Sequence, residues 1–237
     1  KNMKIYLASK SPRRHQIIKA LDHPIEIFPI DIYEGHQASG ESSMDYVSRI
    51  SKMKSNYSQK KLSSGIVITA DTTVDLNGNS LGKPKDRKSA FNMLNQLKGT
   101  SHSVYTSVTV LDLLSGNSCT ETEQSHVKMR YYTKEEINAY IDTNEPFDKA
   151  GGYAIQDKSF NPVHEIEGCY LNIVGLPLCM TLKIFAQFPP QIVKESSAYR
   201  WAIPGGKTSE SRRRASRGGH TGDCHCEKSK KRNSVLS

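Results

Sequence analysis

An α/β fold is predicted for residues 1–190 of this chain. Short β-branched runs alternate with amphipathic helical segments along residues 4–100, and Gly, Pro, Asn or Ser marks the turns between them. The length of 237 residues and the hydrophobic content of 36% suffice for one large domain or two small lobes. Residues 191–237 differ in composition and are expected to form a basic tail outside this domain.

The N-terminal part supplies the first strands and helices. Residues 5–8 form a predicted strand, and Ser11 caps the helix that follows it. A second helix is predicted over residues 43–61. The apolar run over residues 66–70 predicts a buried strand that ends at Asp71, and ligands bind beyond the carboxyl ends of strands in open α/β sheets. Asp71 is therefore expected in a crevice.

The later elements follow from turn, capping and periodicity signals. Residues 145–175 are rich in Gly and lack a helical period, so loops and short strands near the site are expected there. Thr133 and Glu136 form a capping box. The remaining predictions are a hairpin at Asn77-Gly78, strands over residues 103–113 and 121–131, and helices over residues 87–97, 133–141 and 177–187.

The positive charge is concentrated near the C-terminus. The chain has a net charge of +9, and residues 191–237 contain 11 Lys and Arg against 4 Asp and Glu, which gives that segment +7. Few large apolar residues occur in it, so disorder is predicted after Pro189-Pro190. Nucleic acid is not an expected partner of the folded part, although the basic tail can bind polyanions weakly.

Cysteine usage and hydropathy predict a cytoplasmic protein without a membrane partner. The five cysteines form no regular framework, and an odd number in a chain of this length argues against a secreted disulfide scaffold. No run of about 18 apolar residues is present, as a membrane-spanning helix would require. A reducing compartment is the resulting expectation.

The first candidate site is the turn from strand to helix at Ser9-Lys10-Ser11-Pro12-Arg13-Arg14. A helix N-terminus, a hydroxyl and two guanidinium groups together favour phosphate oxygens. The alternative is a solvated basic first turn. Because positive charge there opposes the helix dipole, the two arginines favour an external anion.

The second candidate is Asp71 with the charged residues expected near it. Lys54 lies on the apolar stripe of its predicted helix and Lys83 in a Gly-Lys-Pro loop, while Glu34 is a weaker candidate. Alternatives remain open: Asp71 can cap a turn, Lys54 can extend to solvent, and Glu34 can be a surface acid. A carboxylate among cations suits polyphosphate hydrolysis, in which an acid activates water or holds a metal ion.

Six sequence blocks carry a resemblance to a known family. They are Leu7-Ala8-Ser9-x-Ser11-Pro12-Arg13-Arg14, Ala70-Asp71-Thr72, Gly82-Lys83-Pro84, Leu97-x-Gly99-x-x-His102-x-Val104-x-Thr106, Glu145-Pro146-x-Asp148-Lys149-Ala150-Gly151-x-Tyr153-x-Ile155-Gln156 and Gly168-x-Tyr170-x-Asn172-x-Val174-Gly175-Leu176-Pro177. In this order, they resemble the signatures of the Maf, or septum-formation, family of nucleoside triphosphate pyrophosphatases over about residues 4–188.

The resemblance implies a fold, an activity and partners. The fold would be Maf/inosine-triphosphatase-like, an elongated mixed sheet with flanking helices and two lobes around a central cleft. The reaction would convert a nucleoside triphosphate and water to the monophosphate and pyrophosphate with a divalent metal, Mg²⁺ or Mn²⁺. A homodimer is also implied. The Ser-Pro-Arg-Arg block is closer to the dTTP/UTP branch; the alternatives are 7-methyl-GTP or another modified purine, or a non-catalytic nucleotide-binding regulator of cell division.

The resemblance also implies residue roles. Asp71 would be the general base, and Glu34 with Asp71 would hold the metal. Base selection would fall to Arg13, Thr72 and Gln156. The phosphate-binding residues would be Ser9, Arg13, Arg14, Lys54 and Lys83.

Overall fold

The computed structural model of this protein describes residues 3–21 and 23–188. The predictions of a disordered tail over residues 191–237 and of an end at Pro189-Pro190 lie outside the described residues. Within them, helices pack against a mixed seven-stranded sheet, which confirms the predicted α/β class. The seven strands are β1 (Ile5–Leu7), β2 (Ile25–Ile27), β3 (Ile66–Leu76), β4 (Asn79–Leu81), β5 (Ser101–Asp112), β6 (Ser118–Met129) and β7 (Val163–Glu167).

The sheet has the strand order β2-β1-β3-β5-β6-β7, with β4 attached to β3. β1 runs parallel to both β2 and β3, whereas β3, β5, β6 and β7 pair antiparallel in succession. Each of the two longest pairings aligns ten or eleven residues of β5 with its neighbour. These long strands form the backbone of the molecule.

Strand β3 is the element on which the sheet divides. β5 covers one edge of β3 from residue 66 to residue 75. The opposite edge pairs with β1 at residues 66–68 and with β4 at residues 74–76. Between these two pairings, residues 69–73 have no partner strand on that edge among the residues that the structure describes. The sheet is therefore split beside Asp71.

Six α-helices surround the sheet within the described ranges. Helix α2 begins after the Ser42 cap, whose side chain accepts a hydrogen bond from the Asp45 N–H, and its buried stripe of small, apolar and lysine side chains faces β3 and β5. Lys54 belongs to that stripe. The helices are α1 (Pro12–Ile18), α2 (Ser43–Gln59), α3 (Arg87–Leu97), α4 (Lys134–Asp142), α5 (Tyr170–Val174) and α6 (Leu178–Phe185).

Two principal apolar cores lie in different parts of the sheet. One joins β1 and the first half of β3, residues 66–70, to α1 and α6, and it contains Leu7, Ile68 and Ile184. The other joins the last residues of β3, 74–76, to α3 and α4, and it contains Val74 and Leu94. This arrangement agrees with two lobes.

Three features differ from the sequence predictions. The strand predicted to end at Asp71 continues to Leu76, so Asp71 lies in its interior. Strand β2, with three residues, and helix α5, with five, were not predicted, because each is too short to show a hydrophobic period.

Among the described residues, no helix is long and apolar enough to cross a bilayer.

Candidate active site

A cavity of about 440 Å³ opens where the sheet splits. Its wall is formed by the segment between β1 and α1, the loop before α2, the inner face of α2, the middle of β3, the loop before α3, the Gly-rich segment before β7 and the end of α5, with Val104 of β5. All nine side chains singled out in the sequence lie in this wall. They are Ser9, Arg13, Arg14, Glu34, Lys54, Asp71, Thr72, Lys83 and Gln156.

Asp71 is placed by the interior of β3, not by the end of a strand. Its neighbours Ala70 and Thr72 also line the cavity, because residues 69–73 have an unpaired edge. The expectation from carboxyl-terminal strand ends applies to β1, after which Ala8 and Ser9 enter the cavity wall. The split of the sheet thus brings the end of one strand beside the middle of another.

Lys54 forms the centre of a buried charge cluster. Its Nζ lies 2.7 Å from Asp71 Oδ1 and 2.7 Å from Glu34 Oε1. Lys54 and Asp71 are 8% and 7% exposed, whereas the Glu34 side chain is 44% exposed. The two carboxylates therefore converge on one ammonium group, and Lys54 does not extend to solvent.

Burial shifts the pKa values of Asp71 and Arg14 in opposite directions. Burial raises the pKa of Asp71, and the nearby Glu34 carboxylate raises it further, while Lys54 and Arg14 oppose the change. Burial lowers the pKa of Arg14, which remains a cation because its ordinary value is so high. A carboxylate with a raised pKa is a better proton acceptor than an ordinary aspartate.

Arg14 connects three elements at the floor of the cavity. Its Nε donates a hydrogen bond to the Gly175 carbonyl at 2.7 Å, and its Nη2 donates to Thr72 Oγ1 at 2.9 Å. Thr72 Oγ1 also lies 2.9 Å from Thr106 Oγ1 on the adjacent strand β5. Arg14 is thus fixed in orientation before any ligand binds.

Arg13 points to the Gly-rich segment instead. Its Nη1 donates to Asp148 Oδ2 at 2.7 Å, and its Nη2 donates to the Asp148 carbonyl at 2.9 Å. Lys149, which is buried, donates to Asp148 Oδ1 and to Glu145 Oε2, both at 2.7 Å. The two arginines of the predicted anion site therefore have different partners.

Three predicted residues present groups that remain available to a ligand. The side chains of Lys83 and Gln156 have no hydrogen-bond partner or ion pair within residues 3–21 and 23–188. Ser9 Oγ accepts a hydrogen bond from the Ser11 N–H at 3.1 Å, which leaves its hydroxyl proton free to donate. The first helix has only seven residues, so the charged side chains, and not its dipole, dominate the local field.

The donor set suits a metal ion that is carried in by phosphates. No group of three or more His, Cys, Asp or Glu side chains able to hold a metal occurs in the part of the chain that the structure describes. Glu34 and Asp71 nevertheless supply two carboxylates that meet at Lys54 Nζ. Mg²⁺ typically binds one or two carboxylates and completes its shell with waters and substrate phosphates. The residues present fit that mode.

The sequence interpretation missed four charged residues of the cavity wall. They are Lys10, Asp31, Asp148 and Lys149. Lys10 lies 2.7 Å from Asp31 Oδ2 at the rim. An acid next to a lysine in a Gly-rich block, as in Asp148-Lys149-Ala150-Gly151, was the available signal, but sequence alone does not show that Arg13 reaches it.

Taken together, the wall contains six cationic side chains and four carboxylates. It therefore attracts a polyanion, while Asp71 offers a proton acceptor next to buried cations. Water attack on an anhydride of phosphates uses both properties, because the water must lose a proton and the negative charge on the phosphate oxygens and the leaving group must be stabilised.

Named relatives share most of this chain. A dTTP/UTP pyrophosphatase of Carboxydothermus hydrogenoformans is 43% identical over 176 residues, which cover 74% of this chain and 94% of that protein. A dTTP/UTP pyrophosphatase of Clostridium novyi is 45% identical over 185 residues, covering 77% of this chain and 96% of that protein. A third, from Dehalococcoides mccartyi, is 38% identical over 192 residues, covering 80% and 85%.

A solved nucleoside-triphosphatase / dITP/XTP pyrophosphatase of Mycobacterium abscessus superposes with a TM-score of 0.33 at 14% identity, over 54% of this chain and 74% of that one. A similarity this low carries no argument. The family description is stronger, because residues 4–188 match the model described as Maf-like protein and this range contains the entire cavity wall. The chain belongs to the Maf-like protein family.

Proposed function

We propose that this protein hydrolyses dTTP or UTP to the nucleoside monophosphate and pyrophosphate. The observation that carries the proposal is the Asp71 carboxylate, which lies in a cavity wall with six cationic side chains. The names of the relatives, which are 37–45% identical, support pyrimidine triphosphates as the substrate class. The family resemblance also supports a cytoplasmic location and a homodimer, and sedimentation equilibrium would test the dimer.

In the proposed reaction, Asp71 accepts a proton from a water molecule while the water oxygen bonds to the α-phosphorus. The bond from that phosphorus to the bridging oxygen of the β-phosphate breaks, and pyrophosphate leaves. Lys54 holds the Asp71 carboxylate in place at 2.7 Å. Arg14 and Lys83, with the Ser9 hydroxyl, are proposed to bind phosphate oxygens, as their places in the wall allow.

The charge of the wall supports a role for a divalent cation. Six cations against four carboxylates leave a net charge of about two positive, whereas a nucleoside triphosphate carries about four negative charges. Glu34 and Asp71 would hold Mg²⁺ or Mn²⁺ together with the phosphates, and the bound ion would supply charge neutralisation and lower the pKa of water. The wall and one divalent cation together match the charge of the substrate.

Base selection is proposed to involve Gln156 and Arg13, whereas Thr72, the third residue that the family resemblance implies for this role, is proposed to act only through Arg14. Gln156 has both a donor and an acceptor and no partner among the described residues, so it can pair with the N–H and carbonyl edge of uracil or thymine. Thr72 is already bonded to Arg14, so its contribution is to hold that side chain.

Pyrophosphate release from a panel of triphosphates tests the proposal. We expect dTTP and UTP to give the highest kcat/KM, with dTMP or UMP as products, and no turnover without Mg²⁺ or Mn²⁺. A higher kcat/KM for 7-methyl-GTP than for dTTP and UTP would instead identify modified purine nucleotides as the substrates. Binding of dTTP without any pyrophosphate release would reject the hydrolase and favour a nucleotide-binding regulator.

The role of Asp71 is tested by Asp71→Asn. We expect kcat to fall by at least about 100-fold because the amide cannot accept the proton, with the melting temperature retained. Asp75→Asn is the matched control, since Asp75 lies on the same strand but outside the cavity wall. Near-normal turnover by Asp71→Asn would remove Asp71 from the base role.

A further inference from the structure

The guanidinium of Arg13 is held on the Gly-rich segment by two different acceptors of Asp148. One is the carboxylate at 2.7 Å and the other the backbone carbonyl at 2.9 Å. The Arg13 side chain is 20% exposed and the Asp148 side chain 54% exposed. An exposed carboxylate alone holds an arginine weakly. The second bond, to a carbonyl that cannot rotate, fixes the plane of the guanidinium.

Asp148 is itself held in place from the other side. Lys149 Nζ donates to Asp148 Oδ1, so each carboxylate oxygen of Asp148 bonds a different cation. Lys149 is 6% exposed and is also held by the Glu145 carbonyl and carboxylate. Although partial burial opposes the change, hydrogen bonds from Lys149 and Arg13 lower the pKa of Asp148. Asp148 is thus an ionised and rigid acceptor at the cavity wall.

This contact gives the two adjacent arginines different directions. Successive helix residues point about 100° apart, so one helical turn cannot aim both side chains at one spot. Arg14 binds Thr72 and Gly175 beside Asp71, whereas Arg13 reaches the segment that also carries Gln156. We propose that Asp148 is a positioning residue for substrate selection, which holds Arg13 on the segment that carries Gln156 and away from the phosphates. This inference rests on the proposed function.

The chemistry of arginine gives this placement a consequence for the base. A guanidinium has five N–H donors and no acceptor, and two of its nitrogens already bond Asp148. The remaining N–H groups can donate hydrogen bonds to a base edge that carries carbonyl oxygens. Thymine and uracil have two such oxygens, whereas adenine has none. An Arg13 held on the segment that carries Gln156 is therefore expected to favour dTTP over dATP.

The test compares dTTP with dATP in the full-length protein. Asp148→Asn is expected to reduce the dTTP/dATP ratio of kcat/KM by about tenfold or more, since Arg13 loses its ion pair and the carbonyl of residue 148 alone does not hold it against the phosphates of either nucleotide. Lys149 keeps Glu145 as its partner in this variant, so the fold is expected to persist. Asp148→Glu, which keeps the carboxylate, is expected to retain more of the discrimination. In an Arg13→Ala background, Asp148→Asn should change the ratio no further.

Asp31→Asn is the matched control. Asp31 also lines the cavity, and its partner is Lys10 at 2.7 Å, so the variant removes the same charge without releasing Arg13. Its ratio is expected to stay within about twofold of the parent. An equal loss of kcat/KM for both nucleotides in Asp148→Asn, or an unchanged ratio, overturns the inference. Dissociation constants for dTTP and dATP, measured by calorimetry without a divalent metal so that no turnover is expected, report discrimination in binding alone, so failure of the proposed hydrolysis is scored separately.

Discussion

At the scale of single residues, Asp71 and Glu41 show how the surroundings of a carboxylate set its pKa. Burial raises the pKa of Asp71, whose place in the cavity wall suits a proton acceptor. Hydrogen bonds from Arg49 and from the Ala38 N–H lower the pKa of Glu41 to about 2. Raising the pKa of a buried acid opposes its ionised native state, whereas the Glu41 bonds favour it. Asp71, the proposed general base, thus reduces stability when it is ionised, whereas Glu41 supports the fold.

Glu41 is predicted to stabilise the segment that carries Glu34. Arg49 donates to both of its oxygens at 2.7 and 2.9 Å, and Ala38 donates at 2.9 Å. A carboxylate whose pKa is lower in the folded than in the unfolded state stabilises the fold at pH values above its unfolded pKa. This stabilisation is lost as the pH falls through the folded-state pKa. Glu41→Gln should therefore lower the free energy of unfolding at pH 7 by about 1 kcal/mol, after allowing for solvent screening. The difference from the parent should shrink between about pH 4.5 and 2.

Urea unfolding at several pH values measures this effect. Glu26→Gln is the control, because the Glu26 pair with Lys4 has both side chains more than half exposed. That variant should match the parent at all pH values. If Glu41→Gln and Glu26→Gln behave alike at pH 7, the Arg49 pair contributes no measurable stability.

At the scale of elements, sequence patterns predicted most of the fold because long elements have clear periods and caps. Helix α2 was placed within two residues, and Lys54 was correctly put on its inner face. The predicted end of β3 at Asp71 was wrong, because Asp71, Thr72 and Thr73 resemble a turn in sequence. They continue the strand because β5 supplies ten pairing residues from far along the chain. No local signal carries that pairing.

The site was predicted by residue type more fully than by contact. Each of the nine proposed residues lies in the cavity wall, yet the partners of the two arginines could not be predicted. Arg13 and Asp148 are separated by 135 positions, and Arg14 and Gly175 by 161. Contacts at such separations depend on the packing of the lobes, which spacing along the chain does not encode.

The turn before Gln156 offers an element-scale prediction. Gly151 has φ +68°, and a Cβ there would lie 2.8 Å from Val74 Cγ2 on β3. Gly151→Ala combines left-handed strain with this clash, so we expect a loss of about 2–3 kcal/mol in unfolding free energy. The turn links Asp148 to Gln156, so kcat/KM for dTTP should fall as well.

Gly116→Ala separates the two causes. Gly116 has φ +75°, but nothing lies within 4 Å of its added Cβ. Its cost should stay near 1 kcal/mol, from the backbone conformation alone, with activity unchanged. Equal melting temperatures for both variants would mean that Val74 moves aside easily and that the turn tolerates a side chain.

At the scale of the whole molecule, the cavity depends on two separate cores. Ala70 belongs to one core and Val74 to the other, and both line the cavity on either side of Asp71. β3 is continuous through both cores, so it holds the lobes together while its unpaired edge leaves space for a ligand. The site is thus a property of the assembled lobes, and neither core could form it alone.

Removal of residues 191–237 provides the whole-molecule prediction. The cavity wall runs from Ala8 to Gly175, and the family match ends at residue 188. We therefore expect kcat/KM for dTTP to stay within about twofold of the full chain, because no wall residue is lost. The segment carries +7 of the +9 net charge, so retention on a heparin column should fall sharply. Loss of turnover on truncation, with the melting temperature unchanged, would mean that the tail completes the site; unchanged heparin retention would place the polyanion-binding surface on the folded part.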